Sequence, residues 1–380
     1  MTLNISRNCI VVTCFSENQP GYLDFSYRIH ALAKHYKLTI ISQDSLTQPE
    51  LVIADAKYQA MGRKNGKYGW LNYLYKCAVY ARQHQPDLLV LLHSSASPIA
   101  LLVGKIPTCL YWNEHPTNLV HLPAGFSPIR YLLALLSHWL VFLGARHTDV
   151  VMPIGEEHYA DLLANGCEKT AVRLTYMGVS DGFSGCAVKK RTHSDCMQLI
   201  YIGTVSAPRG RDVMLEGVAE AIRRGFLVHL TIVGAGHDQV SYCNERLADL
   251  NIRDHVTLIG RVSGSEIPNL LSKADMGICL WEDKPWWRFN PPTKLFEYLV
   301  AGLPVIASDI RTHTRYVKNC ENGLIFEYGA AGFAYAIGEV FLNPGRLSTM
   351  KINAFQSGQQ YLWSRIEPTF MSHIAATVKI

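Results

Sequence analysis

The sequence lacks the short signatures that would settle its class at once. Its 10 cysteines include no C-x-x-C pair and no Cys/His cluster at zinc spacing, so they read as reduced thiols of a cytosolic chain rather than as staples or metal ligands. No run reaches the roughly 18–20 uninterrupted apolar residues that a membrane-spanning helix needs. The nearest, residues 131–143, is broken by Ser137 and His138 and suits a buried or interfacial helix. The first apolar stretch, 9–15, is about strand length and no small-residue cleavage site follows it, so the stretch does not read as a secretory leader and the cytoplasm is the expected location. There is no fixed-period repeat and no low-complexity segment. Neither charge sign dominates: 36 Lys and Arg face 31 Asp and Glu for a net +5, too weak a footprint to point to nucleic acid.

What is present is a globular chain. With 48% hydrophobic and 18% charged residues over 380 positions, there is ample apolar surface for two domains of roughly 150–200 residues each. Short apolar runs at 9–13, 38–42, 88–92, 108–111 and 150–152 alternate with helix-period segments, and a second series follows at 199–202, 228–233, 256–259, 276–280, 304–307 and 323–326. Alternation of that kind predicts α/β architecture with parallel sheets. The polar, Gly- and Ser-rich stretch between the two series predicts a linker. The expected division is a Rossmann-like domain over 1–180, a linker over 181–197, a second Rossmann-like domain over 198–350, and a helical tail over 351–380 that packs back on the first domain. Ligands of such sheets bind beyond the carboxyl ends of the strands, so the loops after the runs are where chemistry is sought.

The first such loop ends in Pro20-Gly21, and the helix after it carries Arg28. Glycine there permits close backbone approach, and the helix start offers free N–H groups to an anion; an ordinary strand-to-helix turn reads the same way. After 199–202 comes Gly203-Thr204, then Arg209-Gly210-Arg211 before a helix. Two guanidinium groups beside a helix N-terminus suit a diphosphate, although solvated surface arginines remain the alternative. Gly234-Ala235-Gly236 follows another strand without completing a dinucleotide fingerprint. The strongest stretch runs from Asn290 to Ser308: paired prolines put Thr293 and Lys294 in a first helical turn, Gly302-Leu303-Pro304 ends that helix before a buried strand, and Glu297 stands one turn in, where it can accept from vicinal sugar hydroxyls.

The run PPTKLFEYLVAGLPVIAS, with Gly203, Arg209-Gly210 and Gly234-Ala235-Gly236 upstream, resembles family 4 glycosyltransferases. That resemblance implies the GT-B fold, with two Rossmann-like domains facing each other across a cleft, and a retaining transfer from a nucleoside diphosphate sugar. It further implies that Arg209 holds the diphosphate, that Glu297 binds the donor ribose, that Arg261 and Val262 lie in the turn that takes the nucleobase, and that Gly21, Thr204, Arg211, Gly234, Thr293 and Lys294 complete the donor site. In the first half, Asn113-Glu114-His115 is similar to the loop where these enzymes carry acceptor-side residues. Arg28, Asn113, Glu114 and His115 are therefore the expected acceptor contacts. Glu114 and His115 are the candidates to orient an acceptor hydroxyl or receive its proton, together with Arg209 on the catalytic list; a loop histidine bonded to backbone is the plain alternative for His115.

Two departures stand out. The family often carries two glutamates separated by seven residues, and Phe289 occupies the place of the first; a second basic residue is common where this chain has Thr204. The missing glutamate normally touches the transferred sugar, which leaves Arg211, Arg288 and Lys294 as candidates for compensating charge. Separately, six cations (Lys57, Arg63, Lys64, Lys67, Lys76 and Arg82) are interleaved with tyrosines and Trp70 against the single acid Asp55. Such a segment suits the headgroup level of an anionic membrane, assisted by 131–143, or else is a solvated positive face. The expected protein is thus a hexosyltransferase in bacterial surface polysaccharide or glycolipid assembly, at the cytoplasmic face of the inner membrane. Its expected partners are a nucleotide sugar and a saccharide or lipid-linked acceptor, with no nucleic acid, no metal and no cofactor beyond the donor. The alternatives are an epimerase on the same fold and a nucleotide-sugar-binding partner protein without turnover.

Overall fold

The computed structural model describes residues 7–15, 22–120, 127–188 and 196–378. They form two compact units, residues 1–178 with 365–380, and residues 179–364. In the first, the strands are β1 (Asn8–Val12), β2 (Lys37–Ser42), β3 (Lys57–Ala60), β4 (Leu88–Leu91), β5 (Thr108–Trp112) and β6 (Val150–Pro153), with helices α1 (Tyr22–Ala33), α2 (Gly66–His84) and α3 (Pro128–Arg146) between them and α4 (Glu156–Ala164) after β6. All pair in parallel in the order β3-β2-β1-β4-β5-β6. The second unit carries β7 (Met197–Ile202), α5 (Arg211–Arg223), β8 (Val228–Val233), α6 (His237–Asp249), β9 (Val256–Ile259), α7 (Ile267–Leu271), β10 (Met276–Cys279), α8 (Thr293–Ala301), β11 (Val305–Ser308), α9 (Arg311–Thr314), β12 (Gly323–Phe326), α10 (Ala330–Leu342) and α11 (Pro344–Gly358). Its order, β12-β11-β10-β7-β8-β9, repeats the same pattern. Each sheet therefore reverses direction once, at β1/β4 and at β7/β10, and the crevice beyond those strand ends is the binding place the topology provides.

Buried strands such as β4 and β5, with every residue inside, are the continuous apolar runs that parallel sheets covered on both faces require. The one strand that the apolar runs do not predict is β3. Its sequence Lys-Tyr-Gln-Ala is polar and mostly exposed, because an edge strand pairs on one side only and needs no apolar run.

Residues 181–188, expected in a linker, are built into the second unit together with Val179 and Ser180, expected in the first domain. Val179 N–H donates to Tyr361 O at 2.9 Å, Gly185 N–H to Val300 O at 3.0 Å and Ala187 N–H to Ala301 O at 2.8 Å, while Phe183 is buried. The tail divides. Helix α11 stays with the second unit, and α12 (Trp363–Thr377) crosses into the first, where Phe370 and Ile374 are fully buried and His373 Nδ1 lies 2.9 Å from Thr175 Oγ1.

The packing of α12 corrects one sequence expectation. Arg28 is 0% exposed. It forms an ion pair with Asp24, donates to Tyr176 O at 3.2 Å, and its guanidinium sits 3.8 Å from the Tyr111 ring centroid and 5.4 Å from that of Phe370. Tyr111 Oη donates to the same carboxylate at 2.6 Å. A guanidinium closed in on every side holds α1, β5 and α12 together and has no surface left for an acceptor. Arg28→Ala leaves the Asp24 carboxylate buried without its cation, so it should cost about 3–5 kcal/mol in urea unfolding of the first unit.

Candidate functional site

Helix α8 fixes the centre of the second unit. Pro292 is its extended N-cap, and Gly302 ends it in the left-handed region at φ 77°, a conformation glycine adopts without strain. Almost all of the helix is buried. Tyr298 Oη accepts from Ile202 N–H at 3.0 Å and its ring lies on β10, where a Cβ at Gly277 would stand 2.5 Å from it. Thus α8 is pinned beneath β7 and β10, the two strands at the reversal point.

The first turn of α8 carries Lys294, which is 7% exposed. Its ammonium has no hydrogen-bond partner and lies 3.5 Å from the Tyr201 ring centroid. Beside it, Gly203 at φ 118° leaves room that a side chain would take, since a Cβ there would be 3.3 Å from Nζ. Burial pushes Lys294 down to about 7 and, one turn on, pushes Glu297 up to about 7 against the pull of Lys294. An ammonium kept from water without an acceptor is the arrangement an anionic ligand relieves.

The loop after β7 reaches the same place. Gly210, at φ 78°, lets the chain turn against Leu280, where a Cβ would meet Leu280 Cβ at 2.7 Å. Arg209, just before it, holds its guanidinium 5.4 Å from the Trp287 ring and 5.9 Å from the Trp281 ring. Thr204 is exposed on this loop, and its carbonyl accepts from Tyr201 Oη at 2.8 Å. Gly234, after β8, packs on the loop so closely that a Cβ would be 2.7 Å from Gly203 O. Exposed Arg261 and half-buried Val262 follow β9 on the next strand end. The structure therefore brings Gly203, Thr204, Arg209, Gly234, Thr293 and Lys294 to one edge of the sheet. It does not bring Arg211 there: that guanidinium is engaged with Asp212 in two 2.9 Å bonds, with Gln239 at 2.9 Å, and over the Tyr242 ring at 3.5 Å.

Trp281 and Trp287 belong to the site although sequence reasoning passed over them. Their rings stack at 4.3 Å, and both indole N–H groups are buried without an acceptor. Their backbones are held by Ser308 and Thr312. The signal was available: an aromatic cluster in the loop directly after β10, at the reversal point.

In the first unit, a cavity of about 340 Å³ lies at the carboxyl ends of β1, β4 and β5, lined among others by Arg63, Lys67, Trp70, His93, Ser95 and Glu114. Glu114 Oε2 is 3.5 Å from His93 Nε2. His93 Nδ1 accepts from Ser95 N–H at 3.1 Å, which puts the ring proton on Nε2, toward the carboxylate. Asn113 accepts from Ser94 N–H at 3.2 Å and so shapes the loop. His115 does not face this cavity. It is 2% exposed; Nδ1 accepts from Thr117 N–H at 3.2 Å, capping the turn Pro116–Leu119, and Nε2 bonds Asp161 Oδ2 at 2.8 Å. Both nitrogens are committed to the fold, which removes His115 from the acceptor contacts. Gly21 lies outside the described residues. Among the described residues no group of three or more His, Cys, Asp or Glu side chains is placed to hold a metal ion.

Residues 197–343 match the family described as Glycosyl transferases group 1. The chain is similar to spore coat protein SA of Bacillus subtilis strain 168, 23% identical over 185 residues that cover 46% of this chain and 47% of that protein; it spans about half the length of the curated relatives it matches. Among solved structures it is similar to Anabaena HepE in complex with UDP and glucose, with a TM-score of 0.72 at 15% identity over 97% of this chain and 99% of that one. It is also similar to WaaG, a glycosyltransferase involved in lipopolysaccharide biosynthesis, with a TM-score of 0.71 at 14% identity over 95% and 98%. At those identities the likeness is one of fold, and the fold is GT-B. The family match over the second unit supports a glycosyltransferase assignment.

The Lys294–Glu297 pair leaves a mark on stability. Between pH 7 and 10.5 the unfolded chain keeps the Lys294 proton and the folded one does not, so its contribution to stability rises with pH. Between 4.5 and 7 the folded chain keeps the Glu297 proton, so that contribution falls. The two sum to a minimum near neutrality. Lys294→Met removes a buried ammonium that has no hydrogen-bond partner, so it should flatten the alkaline rise and raise the stability of the second unit at neutral pH, as read from thermal melts across the pH range.

Proposed function

We propose that the chain is a retaining glycosyltransferase that moves a hexose from a nucleoside diphosphate sugar to an acceptor hydroxyl. The observation that carries the reading is the buried, unpartnered ammonium of Lys294 at the start of α8, beside Gly203 and near the ring pair that Arg209 faces. A diphosphate supplies the missing acceptor atoms there, with the N–H groups of the Thr293 turn and Arg209 adding donors. Glu297 takes the ribose hydroxyls, and Arg261 and Val262 flank the base. HepE, solved with UDP and glucose, supports this choice of donor.

As the anomeric carbon loses its leaving group, negative charge grows on the departing diphosphate. Lys294, Arg209 and the helix N–H groups are aligned before that charge develops, so they stabilise the transition state more than the bound donor. The first unit takes the acceptor in the cavity around Glu114, whose carboxylate orients the hydroxyl. The similarity to WaaG, involved in lipopolysaccharide biosynthesis, supports a role in bacterial surface polysaccharide or glycolipid assembly.

Phe289, standing where related enzymes carry a sugar-binding acid, favours one second reading: a protein that binds the nucleotide sugar without turning it over. Incubation with a panel of labelled sugar nucleotides, with and without membrane lipid, separates the two. The transferase reading expects acceptor-dependent product, and Arg209→Ala or Glu297→Ala should each lower turnover at least about tenfold; donor binding without product would establish the second reading, and unchanged turnover in the variants would remove those two assignments.

A further inference from the structure

Helix α3 presents an apolar face that the fold leaves uncovered. Ile129, Leu132, Leu133, Leu136 and Trp139 recur at helical spacing on one stripe, and all are exposed, Ile129 by 72% and Trp139 by 55%. The opposite face is committed: Ala134, Val141 and Ala145 are buried, and Gly144 sits so close to the segment Ser94–Leu101 that a Cβ would stand 2.4 Å from the Ser97 backbone. Ser97 Oγ also donates to Val141 O at 2.6 Å. With 19 residues, α3 is long and apolar enough to cross a membrane by length and composition, yet one face is locked into the first unit. The helix can neither turn its stripe inward nor leave to span a bilayer.

The charge around it selects the occupant. Helix α2 packs on the same segment Ser94–Leu101 and shows its own exposed stripe of Tyr68, Leu71 and Tyr75. Neither α2 nor α3 contains an acidic residue, while Arg63, Lys64, Lys76 and Arg130 are exposed on or just before them. Apolar and aromatic side chains rimmed by cations fit an interfacial helix on an anionic membrane. A second copy of the chain would instead bring two positive rims together. The cavity near Glu114 is lined by Arg63 and Lys67 before and within α2 and by Ser137 of α3, so its lining draws on both helices of this face.

We propose that the exposed stripes of α2 and α3 form a docking surface for an anionic lipid bilayer. The surface is independent of the donor site, and the two can fail separately. Co-sedimentation with vesicles of phosphatidylcholine, alone or mixed with phosphatidylglycerol, at low and high salt, tests it. The chain should bind the phosphatidylglycerol vesicles, weaken with salt and leave the neutral ones. Replacing Lys64 and Lys76 together by Gln should reduce partitioning by about 25-fold, at about fivefold per cation, and Leu132→Glu with Leu136→Glu by more than about tenfold. Trp139→Ser provides a milder variant, and thermal melts with and without UDP confirm that each variant is folded and report on the donor site alone. Absence of binding to the anionic vesicles, equal binding to the neutral ones, or a dimer in light scattering that the α3 substitutions dissolve would each overturn the proposal.

Discussion

The second unit is organised around a cation it cannot neutralise by itself. Lys294 is carried into the interior by a helix that must be buried because Tyr298, Phe296 and Leu295 form part of the core beneath β7 and β10. Once there, the ammonium meets a tyrosine ring and a glycine rather than a carboxylate, and its proton is loosened by burial. A stability-optimised core would place a methionine at that position; on the proposed reading, the ammonium held against solvation is kept for a ligand that brings negative charge. The glycines follow from the same requirement. Gly203 and Gly234 let the loops after β7 and β8 meet backbone to backbone, and Gly210 lets the first of them close on Leu280; in the proposed function these close approaches leave room for a diphosphate beside Lys294.

Two buried polar residues of the first unit are used in the opposite way. Arg28 has an ion pair, a carbonyl and two rings, and His115 has a carboxylate and a backbone N–H. These partners tie both side chains into the fold, whereas the ammonium groups of Lys67 in the same unit and of Lys294 in the second have no hydrogen-bond partner.

Much of the fold was legible in the sequence because parallel strands buried on both faces are apolar throughout: all six strands of the second unit coincide with apolar runs. Edge strand β3 escaped because half its pairing faces solvent, and residues 179–188 escaped because backbone hydrogen bonds to Val300 and Ala301, unlike side chains, leave no composition signal. In the site, the Pro-Pro-Thr-Lys start and the glycines announced themselves through backbone chemistry. The fates of Arg28, His115 and Arg211 could not be read, since each was decided by a partner distant in sequence or by side-chain direction: Phe370, Asp161 and Gln239. Trp281 and Trp287 gain meaning only when Arg209 is seen facing them.

The most direct test of the account is the proton balance of diphosphate binding. Titration calorimetry with UDP, run about one unit above the Lys294 value of about 7 in buffers of different ionisation enthalpy, should show uptake approaching about one proton per site, because the bound anion restores the ammonium's ordinary affinity for its proton. Lys294→Met should abolish that uptake. Tight UDP binding with no proton taken up, or uptake that survives in Lys294→Met, would contradict the claim that this buried cation is the seat of the ligand.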